Sequence, residues 1–165
     1  MSNLILYFFS PIFIGMGATL TFDIWGLFLK HVFKIPPSNF CLVGRWVLYM
    51  PEGIFRHENI TTIQRKTGEC ATGWITHYMI GITFAIIFIL VVGADWMLKP
   101  AFIPALIFGA ATVAAPFFIM QPLFGFGFAS SKTANPAQAI LRSLTNHTAF
   151  GVGLYLAGSF FNYLL

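Results

Sequence analysis

Residues 71–94 read "ATGWITHYMIGITFAIIFILVVGA" and contain no Asp, Glu, Lys or Arg. A helix of about 20 apolar residues is long enough to cross a hydrocarbon core about 30 Å thick. The stretch therefore predicts a transmembrane helix. The rest of the chain agrees, because hydrophobic residues make up 58% and charged residues only 8% of the 165 positions, where about a quarter charged is usual for soluble domains. The sequence is that of an integral membrane protein.

Three further stretches have a similar length and composition. The four predicted spans are residues 3–29, 71–94, 101–128 and 143–165. The connection 30–70 is the only sizeable segment between them, and its length of about 40 residues is at the lower limit for a domain that folds alone. We therefore predict a single integral membrane domain over residues 1–165. Its fold class is all-α, a four-helix transmembrane bundle with an ordered cytoplasmic loop between helices 1 and 2.

The basic residues are concentrated in two of the three connections. Eight of the nine lie in the first and third connections, and Lys99 alone lies in the second: Lys30, Lys34, Arg45, Arg56, Arg65, Lys66, Lys132 and Arg142. Cytoplasmic loops carry an excess of Lys and Arg. We expect both connections to be cytoplasmic and both termini to be periplasmic or extracellular. Since the cytoplasm is reducing, Cys41 and Cys70 are expected to be free thiols.

The connection 30–70 has the composition of an ordered segment. Residues 41–50, "CLVGRWVLYM", form an apolar and aromatic run that contains one Arg. This pattern predicts a short helix at the membrane surface, with Arg45 turned toward protein or phosphate. The alternative is a surface helix that caps the bundle.

The third predicted span contains proline. Pro116 and Pro122 lie inside it and a glycine-rich stretch follows, which predicts a kinked or interrupted helix. Asn135 before Pro136 is the pattern of a helix cap followed by the first helical residue. We expect the fourth helix to begin there.

Asp23, His77 and His147 are ionisable residues inside the predicted spans. An ionised Asp near a bilayer centre costs about 3 kcal/mol on insertion scales, so such residues normally face the protein interior and have a partner. Each of the three shares a helix face with glycine or other small residues, which mark the surfaces where transmembrane helices pack. All three also fall in the half of the membrane next to the basic connections. The sequence predicts one polar site to which three helices contribute.

Gln121, Asn146 and Arg45 are the predicted supporting residues of this site, because they lie at a similar depth or close above it. The leading interpretation is binding or transport of a small solute, ion or proton. A second is a structural or accessory subunit whose Asp/His cluster only orders the helices. A third is a haem or metal protein, for which the candidate metal ligands are His77, His147 and Asp23. The identity of any cofactor stays open.

Motifs of soluble enzymes are missing from the sequence. It contains no phosphate-binding loop, no G-x-S-x-G and no H-E-x-x-H, which favours a protein without enzymatic activity but does not decide the question. A basic stripe of the kind that binds nucleic acid is also missing. The expected partners are the lipid bilayer, a small solute or ion and, because the chain is small for a transporter, further copies of itself. We expect no nucleic acid among them.

Several stretches of the sequence together resemble a family of small bacterial inner-membrane proteins, a domain-of-unknown-function family with four predicted spans. The stretches are "GATLTFDIWGLFL" (17–29), "VGRWVLYMPEGIFRHENI" (43–60), "GWITHYMIG" (73–81), "APFFIMQP" (115–122) and "NHTAFGVGLYL" (146–156). All six predicted site residues lie within them. The resemblance implies the same topology, and it implies no particular activity.

Overall fold

The computed structural model describes the backbone of residues 3–164 and the side-chain surroundings of residues 9–164. This part of the chain is all-helical and contains no β-strand, which confirms the predicted class. The helices are α1 (Asn3–Phe33), α2 (Phe40–Tyr49), α3 (Glu69–Val92), α4 (Phe102–Ala111), α5 (Gln121–Leu123) and α6 (Pro136–Tyr163). A π-helical turn, Pro116–Met120, precedes α5.

Three helical stretches of the described residues are long and apolar enough to cross a membrane. They are Phe9–Phe33, Glu69–Val92 and Phe102–Leu123, and they correspond to the first three predicted spans. This is compatible with a membrane protein. The helix α6 is 28 residues long but is not one of the three, so a fourth span stays a prediction.

The chain divides into two compact units. The first, here called the span unit, consists of the described parts of Met1–Pro37, Tyr78–Thr112 and Thr145–Leu165. The second, the loop unit, consists of Ser38–His77 and Val113–Leu144. The helices α3 and α6 each contribute residues to both.

Glycine determines how closely the helices of the span unit approach. A Cβ atom on Gly109 of α4 would lie 2.2 Å from the Cα atom of Gly151 on α6. A Cβ on Gly153 would lie 2.7 Å from the Cα of Ala18, on α1. Such backbone contact is possible only without side chains, and small residues are enriched at helix contacts inside membranes for this reason. Gly151 shares a helix face with His147, so the predicted packing role of small residues on that face is confirmed there.

The loop unit begins with the predicted helix 41–50, which is present as α2. The Asn39 side chain caps α2 by accepting a hydrogen bond of 3.1 Å from the Cys41 backbone N–H. The helix then packs on the first turns of α3 through two glycines, since a Cβ on Gly44 would lie 1.8 Å from the Glu69 carbonyl oxygen and one on Gly73 would lie 1.9 Å from the Phe40 carbonyl oxygen. The two backbones are therefore in direct contact.

Cys41 and Cys70 form a disulfide bond in the structure. The prediction that they are free thiols is wrong. The disulfide forms because α2 is in close contact with α3, which brings the first turns of the two helices together. The cysteines are 29 residues apart in sequence, and their spacing carries no sign of the glycine contact that joins them.

The third helical stretch is interrupted, as predicted. The regular helix α4 ends at Ala111, and the chain then forms the π-helical turn that starts at Pro116. A glycine-rich turn follows, in which Gly125 has φ +84° and lies so close to Glu58 that a Cβ would be 1.8 Å from its carbonyl oxygen. The helix α6 begins at Pro136, and the Asn135 side chain accepts a hydrogen bond of 3.2 Å from the Gln138 backbone N–H. The predicted start of the fourth helix is confirmed.

Candidate functional site

Asp23 forms a hydrogen bond with Tyr78 inside the span unit. The Tyr78 hydroxyl donates to Asp23 Oδ2 over 3.1 Å, and both side chains are partly buried. The bond joins α1 to α3, which also touch at Gly15, where a Cβ would lie 2.6 Å from the Cα of Ile82. Because both helices contain candidate spans, an ionisable carboxyl group and a phenol meet within the apolar part of the chain.

His147 contacts Thr112 in the same unit. The His147 Nδ1 atom lies 2.8 Å from the Thr112 hydroxyl oxygen, which lies 2.5 Å from the Gly109 carbonyl oxygen. A hydroxyl has one proton, and a carbonyl can only accept. If the Thr112 proton goes to Gly109, then His147 donates from Nδ1 to the Thr112 hydroxyl oxygen. The edge of the Phe22 ring packs on the imidazole, with 5.6 Å between ring centres.

Asn146 precedes His147 on α6 and is almost fully enclosed. Its side chain is 1% exposed, and its Oδ1 atom has no hydrogen-bond partner among the described residues. A buried polar atom without a partner costs about 1–3 kcal/mol. The span unit therefore contains an acceptor oxygen that could bind a proton donor or a cation.

An apolar groove lies between α1 and α6 in the span unit. Its volume is about 550 Å³, and Trp25, Phe28, Thr145 and Thr148 are among the residues that line it. The lining is almost entirely apolar, so the groove suits a hydrocarbon chain better than an ion. It contributes nothing to the polar site.

His77 lies in the loop unit, where its ring stacks on Phe40. The two ring centres are 3.8 Å apart with an angle of 20° between the planes, and Trp74 packs edge-on at 6.0 Å. The next residue along α3, Tyr78, is the one that bonds to Asp23. Tyr78 is thus a partner of Asp23 on α3 that the sequence analysis did not name.

Arg45 binds Glu69 within the loop unit. Its Nε and Nη2 atoms donate to the two carboxylate oxygens, each over 2.7 Å, and Nη1 donates to the Ile60 carbonyl oxygen over 2.9 Å. Arg45 is 4% and Glu69 is 7% exposed. The hydrogen bond to Glu69 raises the pKa of Arg45 above its usual value. The prediction that Arg45 turns toward protein is confirmed, and the ion pair ties α2 to α3 and to the loop at Ile60.

Gln121 and His57 are buried in the loop unit with unsatisfied side-chain atoms. Gln121 is 8% and His57 is 7% exposed, and neither Gln121 Oε1 nor His57 Nε2 has a hydrogen-bond partner among the described residues. The two chain segments meet, because the His57 backbone N–H donates to the Leu123 carbonyl oxygen over 2.8 Å. Burial lowers the pKa of His57, since a charged imidazole loses its hydration there.

The six predicted site residues are thus divided between the two units. Asp23, Asn146 and His147 belong to the span unit, whereas His77, Gln121 and Arg45 belong to the loop unit. Within residues 3–164, no three His, Cys, Asp or Glu side chains are grouped closely enough to hold a metal ion.

A family model described as "Protein of unknown function (DUF2938)" matches residues 12–161. The chain belongs to the DUF2938 family. All of the predicted site residues lie within the part that the DUF2938 model matches. Neither a curated protein nor a solved structure matches the chain.

The sequence analysis missed two groups of residues. Tyr78 and Thr112 are the partners of Asp23 and His147, and both are common residues in apolar helices, so composition gave no reason to single them out. One signal was available for Tyr78, which shares a helix face with Gly81 at a spacing of three residues. Glu69 could also have been paired with Arg45, because few acidic residues are available within the loop and the start of α3.

Proposed function

We propose that this protein binds a small ion or solute, a proton in the simplest case, at polar side chains of the span unit, and that it carries this ligand across the membrane. The minimal site consists of Asp23 with Tyr78 and of His147 with Asn146 and Thr112. All of these residues belong to the span unit. Arg45 has a structural role, because its guanidinium group is occupied by Glu69.

The hydrogen bond between Tyr78 and Asp23 is the observation that carries this proposal. Ionisable residues within apolar spans are rare, and where they occur they commonly belong to ion or proton pathways. A carboxyl group that accepts from a phenol can gain or lose a proton without leaving its partner. The Oδ1 atom of Asn146, which has no hydrogen-bond partner among the described residues, offers a further group to which a proton donor or cation can bind.

A second candidate function is a purely structural one. It is favoured by the fact that Asp23 and His147 each already have a hydrogen-bond partner on another helix. Bonds of this kind tie helices together inside membranes. In this case the protein is an accessory subunit, and the polar residues only fix the arrangement of its helices.

Proton flux into vesicles separates the two candidates. The purified protein is reconstituted with a pH-sensitive dye inside the vesicles, and a potassium diffusion potential drives proton entry. The variant Asp23→Asn keeps an oxygen that accepts from Tyr78 but cannot ionise, so we expect flux to stop while the unfolding temperature changes little. Asp95→Asn is the matched control, because Asp95 is exposed in a turn outside the spans. Flux that continues in Asp23→Asn would remove Asp23 from the ion-binding site, whereas an unmutated protein without flux would leave only the structural candidate.

The proposal includes a four-helix architecture with α6 as the fourth span. In support, α6 packs on α1 and α4 through glycines, so it contacts protein over much of its surface and tolerates a more polar composition than a helix that faces lipid. The basic residues favour cytoplasmic first and third connections and external termini, in a bacterial inner membrane, and the short chain favours a homo-oligomer. Reporter fusions after residue 98 and after residue 165 test this topology. We expect both reporters on the same, external side of the membrane.

A further inference from the structure

The Cys41–Cys70 bond joins two helix starts. Cys41 lies in the first turn of α2, and Cys70 is the second residue of α3. The helices also touch through Gly44 and Gly73 and are tied by the ion pair of Arg45. Because these contacts hold α2 on α3 without the sulfur atoms, the loop unit can keep its fold when the bond is open.

The positions of the two cysteines favour a reactive disulfide. Cys70 is exposed and Cys41 is half-buried, so a thiol in solution can reach the bond at Cys70. The first turn of a helix carries a partial positive charge, and this charge stabilises a thiolate. Each sulfur that is released on reduction therefore lies where its negative charge is favoured. Arg65 shortly before Cys70 adds positive charge to the same segment, whereas the charges of Lys66 and Glu69 are balanced by their partners Glu52 and Arg45.

The compartment is a third consideration, and it rests on the proposed topology. Six of the nine basic residues lie in the connection 30–70, which contains both cysteines, and this favours the cytoplasmic side. Disulfides rarely persist there, and those that do form are usually transient and catalytic or redox-sensing. A cytoplasmic Cys41–Cys70 bond is therefore one that opens and closes.

We propose that Cys41 and Cys70 form a redox-active disulfide that exchanges with dithiols at the membrane surface. A thiolate of the dithiol attacks the exposed Cys70 Sγ, and Cys41 leaves as a thiolate at the first turn of α2. The second thiolate of the dithiol then attacks the dithiol sulfur that is bonded to Cys70 Sγ, and Cys70 is released as a thiolate. Two electrons and two protons pass from the dithiol to the cysteine pair, and the dithiol becomes a disulfide. The reverse reaction restores the Cys41–Cys70 bond.

Reduction of the unmutated protein in lipid is the first test. Samples are treated with dithiothreitol or, in a parallel arm, with reduced glutathione, then quenched with acid, and their thiols are counted with a mass tag. We expect dithiothreitol to open the bond about tenfold faster than it opens glutathione disulfide, because the leaving thiolate is stabilised. The folding transition should persist after reduction. A bond that opens only when the protein unfolds would overturn the proposal. If glutathione reduces the bond as fast as dithiothreitol does, the partner need not be a dithiol, and that part of the proposal would be overturned.

Single-cysteine variants test the direction of attack. Cys41→Ser leaves the exposed Cys70 thiol, and Cys70→Ser leaves the half-buried Cys41 thiol as the matched control. With glutathione disulfide as the probe, we expect the mixed disulfide to form several times faster in Cys41→Ser. Equal rates in the two variants would contradict attack at Cys70.

The redox state in cells is the third test. Acid-trapped cells should contain both reduced and oxidised protein, with the oxidised fraction rising after an oxidant such as diamide. Protein that is fully oxidised in cells would have a permanent structural bond and would overturn this proposal. If Cys70, once reduced, also reacts with a membrane-impermeant maleimide added from outside, the proposed topology would be overturned as well. The flux assay with Asp23 variants involves no thiol, so the ion-binding proposal succeeds or fails separately.

Discussion

Both units of this protein bring helices together through glycines, but the side-chain bonds that tie the helices differ between the units. In the span unit, helices touch through glycines, and the ties shown are single hydrogen bonds such as the one from Tyr78 to Asp23. In the loop unit, one short helix is fixed to α3 by a buried ion pair and a disulfide. The difference follows from the surroundings. Charged pairs are costly to bury deep in an apolar segment, whereas the loop unit has basic and acidic residues available close to the chain turns.

The ion pair of the loop unit gives the largest expected effect. Glu69→Ala leaves the Arg45 guanidinium buried without its carboxylate, and breaking such a pair on one side costs about 3–5 kcal/mol. We expect a correspondingly large drop in the free energy of unfolding in detergent. The control is Glu52→Ala, which removes the exposed partner of Lys66 and should have little effect. Recovery of stability in the double variant Arg45→Met/Glu69→Leu would confirm that the unpaired charge is the cause.

The glycine contacts of the span unit give the next largest effect. Gly109→Ala introduces a Cβ that would lie 2.2 Å from the Gly151 Cα atom, so α4 and α6 must move apart. Overpacking of this kind costs about 1–3 kcal/mol. Gly26→Ala is the matched control, because its Cβ would meet only the Pro37 Cβ at an ordinary 3.8 Å. Similar unfolding temperatures for the two variants would contradict the close contact of α4 with α6.

The hydrogen bond between Tyr78 and Asp23 is expected to contribute less. Interhelical hydrogen bonds inside membranes are worth about 0.6 kcal/mol on average and at most about 1.7 kcal/mol. A double-mutant cycle with Tyr78→Phe and Asp23→Ala, each of which removes one partner of the bond, should therefore give a coupling energy in this range. A coupling of zero would mean that the two side chains do not bond in the membrane. A much larger one would favour the structural role over the ion-binding role.

The pH dependence of the loop unit is the smallest expected effect. Burial lowers the pKa of His57 in the folded protein, whereas the unfolded chain has a pKa of about 6.5. The unfolded state therefore binds more protons as the pH falls below about 6.5, and the free energy of unfolding declines there. Above that pH, His57 is neutral in both the folded and the unfolded state, so it causes no further change in the free energy of unfolding. Thermal unfolding at several pH values should show a weaker decline in His57→Asn than in the unmutated protein, while His31→Asn, at an exposed position, should behave as the unmutated protein does.

Local patterns in the sequence predicted local structure well. The run without charge at 71–94 corresponds to α3, the prolines at 116 and 122 mark an interrupted helix, and Asn135 with Pro136 starts α6. Each of these features depends on residues within a few positions of one another. The local sequence was therefore sufficient to predict each of these features.

Contacts between distant segments were predicted less well. The Cys41–Cys70 bond depends on how closely two glycines let α2 approach α3, and the partner of Asp23 depends on the rotation of α3 about its axis. Tyr78 lies one residue, about 100° around the helix, from His77, and its bond to Asp23 was not predicted. Helical periodicity identifies the face of a helix, but it does not identify every polar side chain near that face that bonds to a neighbour.

Protonation of Asp23 tests the central claim most directly, namely that the polar residues of the span unit form an ion-binding site. Infrared difference spectra of the protein in lipid, recorded during a pH titration, report the carboxyl stretch of each protonated acid. The account predicts a titrating carboxyl band that disappears in Asp23→Asn and persists in Asp95→Asn. A titration spectrum that Asp23→Asn leaves unchanged would contradict it, because Asp23 would then bind no exchangeable proton.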